Sequence, residues 1–465
     1  MTYLSSQHQA VDAAMPYPVC GQVQAIGGLT IEACDLALPV GSLCRIVSFG
    51  GQESIAEVIG FQHDRTLLMS MESSAGVSRG DRVENLAAAS MLNCTHRMLG
   101  RVLNGLGRPI DSKAPLPMGV RRRIDSRSVE PLSRINIDKS ISTSVRCVDA
   151  LHTCGLGQRM GIFSGPGVGK STLLGQIARH TSADVSVVAL VGERGREVQE
   201  FLQKTIGEEG LRRCVVVVST GDEAPLLRVR SVKVACTIAE YFRDEGKNVL
   251  LLVDSLTRLC HAQRQIGLAA REPPATKGYP PSVFSILPQI LERAGRTQRG
   301  SITGFYTVLV EGDDFNEPIS DAVKGIVDGH LWLSRSLANR SHFPAIDVLQ
   351  SISRLRGDVV TPEQTRQIKR VLSLSAVFQD IEDLVNIGAY VPGANLEFDL
   401  AVQARPKIVQ FLQQDSGAPL KMEQSVKQLS DLFTWIEQLD KALKAQSQKP
   451  RQAASQPAAS AAAAK

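Results

Sequence analysis

The stretch MGIFSGPGVGKSTLLGQI, from Met160 to Ile177, decides the fold. It begins with an apolar run, Met160–Phe163, that is typical of a buried strand, and it continues as a helical pattern from Thr172. Between the two, glycines allow successive backbone N–H groups to turn toward one anionic centre, where the following helix presents its positive end. The stretch therefore predicts a phosphate-binding P-loop, and the alternative is a glycine-rich turn that binds no nucleotide.

The residues of this P-loop have separate expected tasks. Lys170 supplies a mobile positive charge to the β- and γ-phosphates, and Ser171 holds Mg²⁺. The pattern usually begins with glycine, whereas Ser164 stands at that position here. The three later glycines, the lysine and the serine keep their order. The predicted nucleotide contacts are Gly165, Pro166, Gly167, Val168, Gly169, Lys170, Ser171 and Thr172.

Further apolar runs alternate with helical patterns between about Val145 and Leu355. Strands without polar alternation, separated by helices, indicate a parallel sheet that is covered on both faces. We therefore expect an α/β nucleotide-binding domain at residues 91–360. Its strands are predicted at Met160–Phe163, Val185–Val191, Val215–Val218, Val249–Val253 and Phe305–Val310.

Two acidic residues follow strands of this predicted sheet. Asp254 comes directly after Val249–Val253, where a carboxylate can reach the water shell of a bound metal ion. The alternative for Asp254 is the N-cap of the next helix. Glu193 comes after Val185–Val191 and could polarise an attacking water as a general base. A surface ion pair with Arg194 or Arg196 is an equally open interpretation of Glu193.

The regions on either side of this domain have other patterns. Short alternating runs from Cys20 to Leu86, separated by glycines, predict a small β-barrel at 20–90, after a short N-terminal segment at 1–19. A Pro-, Gly- and Arg-rich passage is expected to be an extended connector at 105–140. Its three arginines, Arg121–Arg123, are expected to lie in a solvated loop, with a phosphate or lipid contact as the alternative. A helical domain is predicted at 361–445, and a disordered tail at 446–465. The helical period is carried by Val371, Leu374, Phe378, Ile381 and Leu384.

The composition excludes several classes of protein. The chain has 465 residues, 43% of them hydrophobic and 21% charged, as is typical of a soluble globular protein with about two to four domains. A net charge of +5 and an aromatic content of 5% argue against nucleic-acid binding. No apolar run approaches the roughly 20 residues that span a bilayer, and the N-terminus lacks a signal-peptide pattern, so we expect a cytoplasmic protein. Nine scattered cysteines without a Cys-x-x-Cys pair argue against zinc and disulfide frameworks and predict small buried side chains.

Several longer stretches resemble the flagellar and type III secretion export ATPases, which are relatives of the catalytic subunit of rotary ATP synthases. The resemblance covers about Cys20 to Leu439. The stretch EPPATKGYPPSVF, Glu272–Phe284, is more similar to the export ATPases than to the synthase subunits. The other stretches are GRVLNGLGRPID at Gly100–Asp111, GERGREV at Gly192–Val198, VDSLTR at Val253–Arg258, FYTVLVEGDD at Phe305–Asp314, FPAID at Phe343–Asp347 and SISR at Ser351–Arg354.

This resemblance implies a RecA-like P-loop domain that hydrolyses ATP with Mg²⁺. It implies that Glu193 is the catalytic carboxylate and that Phe343 stacks on adenine, since an aromatic face is a suitable platform for a base. It also implies that Arg194 and Arg258 lie at or near the γ-phosphate, and that Arg354 is an arginine finger. With Lys170 and Asp254 these residues form the expected catalytic set, and Ser171 and Asp254 are the expected Mg²⁺ residues, partly through water.

A finger that acts on a neighbouring subunit's nucleotide implies a ring of identical copies, by resemblance a homohexamer. The implied partners are a stator-like regulator, a central stalk protein, an export gate at the membrane, and export substrates with their chaperones; no nucleic acid is expected. The implied location is the cytoplasm, peripherally at the inner membrane. Glu272–Phe284 is expected to face the centre of the ring, with a rigid connector as the alternative. The N-terminal segment is shorter than in many relatives, so the regulator is expected to bind differently or not at all, and Ser144 replaces a common glycine.

Flagellar export is the preferred function, and an injectisome (virulence-type) ATPase is the nearest alternative. A rotary synthase subunit would carry a different stretch in place of Glu272–Phe284. A Rho-like RNA translocase would interleave aromatic and basic residues in the barrel, where only Phe49 and Phe61 are aromatic. A nucleotide-binding scaffold without turnover is opposed by the presence of Glu193 and Arg354.

Overall fold

The computed structural model describes residues 19–72, 74–87, 90–126, 128–310 and 317–447. These residues divide into two compact units. The first contains the described residues up to Thr361 together with the segment Gln413–Ser425, and the second contains Pro362–Leu412 and the residues from Val426. The predicted N-terminal segment, except residue 19, and the predicted tail, except residues 446 and 447, lie outside the described residues. Among the helices within these ranges, none combines the length and the hydropathy that a bilayer crossing requires.

Six antiparallel strands close into a barrel at the start of the first unit, as the alternating runs predict. The strands are β1 (Cys20–Gly27), β2 (Thr30–Cys34), β3 (Leu43–Val47), β4 (Glu53–Gln62), β5 (Arg65–Ser70) and β6 (Arg82–Ala87). Their order around the barrel is β1-β2-β5-β4-β3-β6. Every second side chain of β2 and of β3 is buried, because successive residues of a strand point to opposite faces. Ile31, Cys44 and Ile46 therefore belong to the core of the barrel.

The passage after the barrel contains the short strands β7 (Met91–Cys94), β8 (Arg101–Asn104) and β9 (Val120–Arg123). β7 and β9 form a two-stranded antiparallel ribbon, so the three arginines lie in a strand, and the prediction of a loop there is wrong. Arg122 is held by an ion pair with Asp244 at 2.6 Å, and its guanidinium lies over the ring of Tyr241. Its neighbours Arg121 and Arg123 are exposed, because adjacent residues of a strand face opposite ways.

A nine-stranded sheet forms the centre of the first unit. Beside β8, its strands are β12 (Arg159–Ser164), β13 (Val185–Glu193), β14 (Cys214–Thr220), β15 (Asn248–Asp254), β16 (Gly295–Arg296), β17 (Ser301–Leu309), β18 (Gly329–Leu333) and β19 (Ile346–Ser353). The order is β19-β18-β12-β17-β15-β13-β14-β8, with β16 beside β17. β19 and β16 are antiparallel to their neighbours, and the other pairs are parallel. Two shorter strands, β10 (Ser140–Ile141) and β11 (Cys154–Gly155), pair with each other.

The five apolar runs of the sequence correspond to the five strands β12, β13, β14, β15 and β17. These strands are buried over most of their length, so the predicted parallel sheet is confirmed. Ser164 at the end of β12 is level with Leu309 at the end of β17. Asp254 at the end of β15 is level with Leu190, near the end of β13. The carboxyl ends of the central strands therefore lie along one edge of the sheet, where ligands usually bind in parallel α/β folds.

Helices surround this sheet. The longest are α5 and α6, which pack against each other and against the central strands. The helices are α1 (Arg146–Leu151), α2 (Lys170–His180), α3 (Gly195–Glu200), α4 (Gly207–Leu211), α5 (Pro225–Asp244), α6 (Leu256–Ala269), α7 (Pro281–Leu291), α8 (Pro318–Ile326), α9 (Arg335–Asn339) and α10 (Arg356–Val359), with a π-helical turn at Phe201–Ile206 and 3₁₀ turns at His96–Met98, Pro131–Ser133 and Thr276–Gly278.

The Glu272–Phe284 stretch is fastened by its own hydrogen bonds. The N–H of Ala275 donates to the carbonyl oxygen of Tyr279 at 3.0 Å, and the N–H of Ser282 donates to Glu272 Oε2 at 3.1 Å. Helix α7 begins inside the stretch, with Pro281 in its first turn, where proline fits because no N–H is needed. The stretch is therefore a compact connection between α6 and α7.

The second unit is built from three helices, α11 (Pro362–Asn386), α12 (Leu396–Leu412) and α13 (Met422–Ser447). The first four residues of α13, up to Ser425, belong to the first unit. The residues that carry the predicted helical period all lie in α11, and Val371, Leu374 and Ile381 are buried. Leu384 continues the period but is 44% exposed. It lies in the last turn of α11, beyond the part of the helix that buries its apolar face.

Candidate active site

The P-loop connects the end of β12 to the start of α2. Gly167 and Gly169 have φ angles of 78° and 86°, which glycine adopts without the strain that a side chain would cause. Ser164 is the last residue of β12 and is fully buried. Because it is a strand residue without a positive φ, its position does not require the glycine of the usual pattern. Ser171 and Thr172 are exposed at the start of α2, where the helix dipole favours an anion.

Lys170 lies between two carboxylates that come from neighbouring strands. Its Nζ is 2.5 Å from Asp254 Oδ1 and 3.8 Å from Glu193 Oε1. Asp254 Oδ1 also accepts a hydrogen bond from Thr307 Oγ1 at 2.7 Å. All three charged side chains are at least 88% buried, because their exposed fractions are 12%, 4% and 9% for the lysine, Asp254 and Glu193. The P-loop lysine and both predicted acids therefore form one cluster.

The alternative for Asp254, the N-cap of the next helix, is wrong. The N-cap of α6 is Ser255, whose hydroxyl oxygen accepts the N–H of Arg258. The Asp254 carboxylate is therefore not used to cap α6 and belongs to the cluster with Lys170. Both of its described contacts involve Oδ1.

The alternative for Glu193, a surface ion pair with an adjacent arginine, is also wrong. Arg194 and Arg196 are both 86% exposed and lie nearest to Glu197 and Glu200. Glu193 Oε2 instead pairs with Arg258 at 2.6 Å. The same guanidinium donates to the carbonyl oxygen of Gly192 at 2.5 Å, which fixes it beside the end of β13.

The carboxyl group of Glu193 has an unusual protonation equilibrium. Burial raises its pKa to about 7, with additional contributions from a hydrogen bond with Glu197 and from the charge of Asp254. The positive charges of Lys170 and Arg258 act in the opposite direction but do not cancel the effect of burial. A carboxylate with a pKa near neutrality is a much better proton acceptor than an ordinary glutamate, so the site can perform general-base chemistry.

The donor set also fits Mg²⁺. This ion binds proteins through one or two oxygen ligands and completes its octahedron with water and substrate phosphates. Ser171 and Asp254 supply two oxygens next to the P-loop, and Asp254 Oδ2 has no described contact. Within the described ranges, no group of three or more His, Cys, Asp or Glu side chains is placed to hold a metal ion.

A cavity of 430 Å³ opens beside the P-loop and is lined by Phe343. The ring of Phe343, which is 45% exposed, lies about 3.4 Å from where a side chain on Gly169 would begin. The other residues that line the cavity are Gly167, Val168, Gly169, Thr172, Leu173, Gln176, Leu333, Pro344, Ala345, Gln414, Asp415 and Ser416. The predicted base-stacking residue thus lies next to the predicted phosphate site.

Arg354 lies elsewhere in the same chain. It follows β19, whose last residue, Ser353, is level with Gly329 at the start of β18. The P-loop follows the opposite, carboxyl end of β12. About five strand residues, or roughly 16 Å, therefore separate the start of Arg354 from the start of the P-loop along the strand direction. The Arg354 side chain is exposed and donates to the carbonyl oxygen of Lys324 at 3.3 Å. The chain therefore brings together Lys170, Glu193, Asp254, Arg258, the P-loop and Phe343, but not Arg354 or Arg194.

Sequence reasoning missed several residues of this site. Thr307 is one of few polar residues in the apolar run of β17, and that interruption was a signal that could have found it. Glu197 lies in α3, four residues after Glu193, and hydrogen-bonds with it. Gln414 comes from a connection between two helices far along the chain, and no local pattern indicates it.

Comparison with known proteins gives matches along most of the chain. Residues 19–87 match the beta-barrel domain of the ATP synthase alpha/beta family, residues 144–353 match the nucleotide-binding domain of that family, and residues 360–431 match the T3SS EscN ATPase C-terminal domain. The barrel, the sheet with its P-loop and the helical unit correspond to these three matches in order.

Individual relatives and a solved structure are also similar. The chain is 50% identical over 424 residues to the flagellum-specific ATP synthase of Treponema pallidum, covering 91% of this chain and 95% of that protein. It is 44% identical over 415 residues to the SPI-2 type 3 secretion system ATPase of Salmonella typhimurium, covering 89% and 95%. The structure of the assembled ATPase EscN in complex with its central stalk EscO, from enteropathogenic E. coli, matches with a TM-score of 0.83 at 42% identity, over 89% of this chain and all of that one. The chain is thus a P-loop ATPase and belongs to the family of flagellar and type III secretion ATPases.

Proposed function

We propose that this chain hydrolyses ATP at the P-loop and uses the energy for protein export through a flagellar type III secretion apparatus. The observation that carries the chemistry is the buried cluster of Lys170, Glu193 and Asp254 directly beside the phosphate loop. In this proposal the backbone of Gly165–Gly169 and the start of α2 bind the phosphates, and Lys170 contacts the β- and γ-phosphates. Phe343 stacks on the base.

Glu193 is the proposed general base. With a pKa near 7 it accepts a proton from the attacking water at physiological pH, and Arg258 holds its carboxylate in place at 2.6 Å. Lys170 leaves its carboxylate partners and turns to the phosphates when the nucleotide binds. Ser171 and Asp254 would hold Mg²⁺, which neutralises phosphate charge when bound.

Arg354 is proposed to act on the nucleotide of a neighbouring copy. Its place at the amino end of the parallel strands, opposite the P-loop, supports a role at a site in another subunit. A chain with the P-loop on one side and the finger on the other needs a closed ring for every site to be complete. We therefore propose a homohexamer. The existence of an assembled form of EscN supports self-assembly, and its complex with EscO supports a central stalk as a partner.

The remaining partners and the location also belong to this proposal. A stator-like regulator, the export gate, and substrates with their chaperones are the proposed contacts, at the cytoplasmic side of the inner membrane. The compact Glu272–Phe284 connection is proposed to face the centre of the ring, and Arg194 to contact the γ-phosphate region after nucleotide binding.

Export through an injectisome is the second candidate, because the SPI-2 ATPase is 44% identical over 89% of this chain. Complementation separates the two. The gene is expressed in strains that lack either the flagellar or the injectisome ATPase, and motility and effector secretion are measured. Restored motility that is lost with Glu193→Gln supports the flagellar proposal. Restored effector secretion without motility would replace it by the second candidate.

A further inference from the structure

The segment Gln413–Gly417 has an unexpected position. In the sequence it connects α12 to α13 of the helical unit, yet it belongs to the compact first unit. There, Gln414–Ser416 forms one wall of the 430 Å³ cavity beside the P-loop. A wall made by a connecting segment needs something to hold it, because loops without packed side chains are mobile.

The side chain of Gln414 fastens this wall, together with the guanidinium of Arg146, which donates to the carbonyl oxygen of Gln413. Gln414 Nε2 donates to the carbonyl oxygens of Ser144 at 2.9 Å and Ala418 at 2.8 Å, and its Oε1 accepts the N–H of Arg146 at 2.7 Å. Its backbone N–H donates to the carbonyl oxygen of Phe343 at 2.9 Å. Both donor positions and the acceptor of the side-chain amide are thus engaged with Ser144, Arg146 and Ala418, and the backbone N–H separately connects the segment to Phe343.

The carbonyl of Ser144 is a shared acceptor. It also accepts a hydrogen bond at 3.1 Å from Nε2 of Gln176, which lies on α2, the helix that begins at the P-loop. Ser144 has a φ angle of 63°, in the left-handed region, and Asp149 and the carbonyl of His180 bind its N–H and its hydroxyl. One carbonyl, aimed by an uncommon backbone conformation, therefore joins the P-loop helix to the wall of the cavity.

We propose that Gln414 is a positioning residue for the nucleotide base. It holds Gln413–Gly417 against Phe343 and α2, so that the wall closes on the base. Its hydrogen-bond partners are backbone groups of Ser144, Arg146, Phe343 and Ala418, none of which belongs to the P-loop. Loss of the side chain removes the contacts with Ser144, Arg146 and Ala418 and keeps the backbone contact with Phe343. We therefore expect the base site to loosen and the phosphate site to be unaffected. This inference rests on the proposed binding of ATP with its base against Phe343.

The test compares a ligand with a base and a ligand without one. Isothermal titration of the full chain with MgATP and with magnesium tripolyphosphate gives the two affinities for wild type, Gln414→Ala and Gln414→Glu. We expect Gln414→Ala to raise the Kd for MgATP about tenfold, equivalent to about 1.4 kcal/mol, and to leave tripolyphosphate binding unchanged. Gln414→Glu should be at least as weak for MgATP, because its carboxylate would face two carbonyl oxygens. In turnover, KM for ATP should rise with little change in kcat.

Gln413→Ala is the matched control, because this neighbouring glutamine is exposed and its side chain has no described hydrogen bond. It should bind both ligands as wild type does. An equal loss of affinity for MgATP and tripolyphosphate in Gln414→Ala would overturn the inference, because it indicates a general structural role. Wild-type affinity for MgATP in Gln414→Glu would also overturn it, because it indicates that the side chain acts only by packing. Retained tripolyphosphate binding shows that a variant is folded. Failure of the proposed function has a different signature: Lys170→Ala would then bind both ligands as tightly as wild type.

Discussion

Glu193 allows the sharpest test of the proposed chemistry, because its pKa is raised to about 7, mainly by burial. A general base must be deprotonated to act, so kcat/KM for ATP should increase with pH and level off above the pKa of the free enzyme. With a pKa near 7, about 9% of the sites are deprotonated at pH 6 and about 91% at pH 8, so the expected increase is about tenfold. An ordinary glutamate would give a flat profile over this range.

A substitution at Glu197 tests the cause of this shift. Glu197 hydrogen-bonds with Glu193, and this hydrogen bond raises the pKa of Glu193. Glu197→Ala removes it, so the midpoint of the pH profile should move to lower pH by up to about one unit. The matched control is Glu200→Ala, because Glu200 is a half-exposed acid on the same helix that pairs with Arg196 and Lys204.

The assay is a coupled measurement of ATP turnover from pH 5.5 to 8.5 with saturating Mg²⁺, carried out on the three proteins in the same buffers. The expected order of midpoints is wild type equal to Glu200→Ala, and both above Glu197→Ala. A wild-type profile that is flat between pH 6 and pH 8, or an unchanged midpoint in Glu197→Ala, would refute the assignment of Glu193 as a base with a raised pKa.

Three further predictions concern single side chains. Glu193→Gln should bind MgATP as wild type does and reduce turnover by about 10² to 10⁴; equal rates in a single-turnover assay would contradict the assignment. Asp111→Asn should destabilise the protein at pH 7 by about 1–3 kcal/mol, measured by urea unfolding, because Asp111 accepts two hydrogen bonds from Arg101 at 2.7 and 2.8 Å. These contacts lower the pKa of Asp111 to about 2, so the wild-type advantage is present above about pH 4 and is lost as the pH falls toward 2; a difference that persists at pH 2 would exclude this explanation. Leu374→Ala should cost about 2–5 kcal/mol of unfolding free energy, because Leu374 is fully buried, whereas the control Leu384→Ala, 44% exposed, should cost much less; similar losses in both would mean that α11 packs differently.

The central fold could be predicted because its signals are local. An uninterrupted apolar run, a glycine-rich turn and a lysine at the start of a helix identify β12, the P-loop and α2 without knowledge of the rest of the chain. The carboxyl ends of parallel strands meet at one edge, and this rule places Glu193 and Asp254 beside Lys170 before any coordinates are known.

Other features depend on partners that are distant in the sequence. The strand at Val120–Arg123 contains three arginines, and only pairing with β7 and the contacts of Arg122 make it a strand. Leu384 continues the helical period but is 44% exposed in the last turn of α11, and the period alone does not indicate where burial along the helix ends. Sequence reasoning left open whether Glu193 acts as a general base or forms a surface ion pair with Arg194 or Arg196. The pairing with Arg258 follows from the way β13 and α6 meet, which no local pattern indicates.

Gln414 shows the same limit at the cavity. Its functional meaning comes from three carbonyl groups and one N–H that belong to different parts of the first unit. A glutamine in a connection between two helices has no pattern of its own, so only the three-dimensional arrangement identifies it.

The most direct test of the account is the ATPase rate per subunit as a function of protein concentration, with mass photometry on the same samples and Lys170→Ala as the inactive control. If Arg354 completes the site of a neighbouring copy, the specific rate should rise as six-fold particles appear. Arg354→Ala chains mixed with wild type should then lower the rate by more than their share. A constant rate from monomers, or a rate that falls only in proportion to the added Arg354→Ala, would contradict catalysis at shared interfaces.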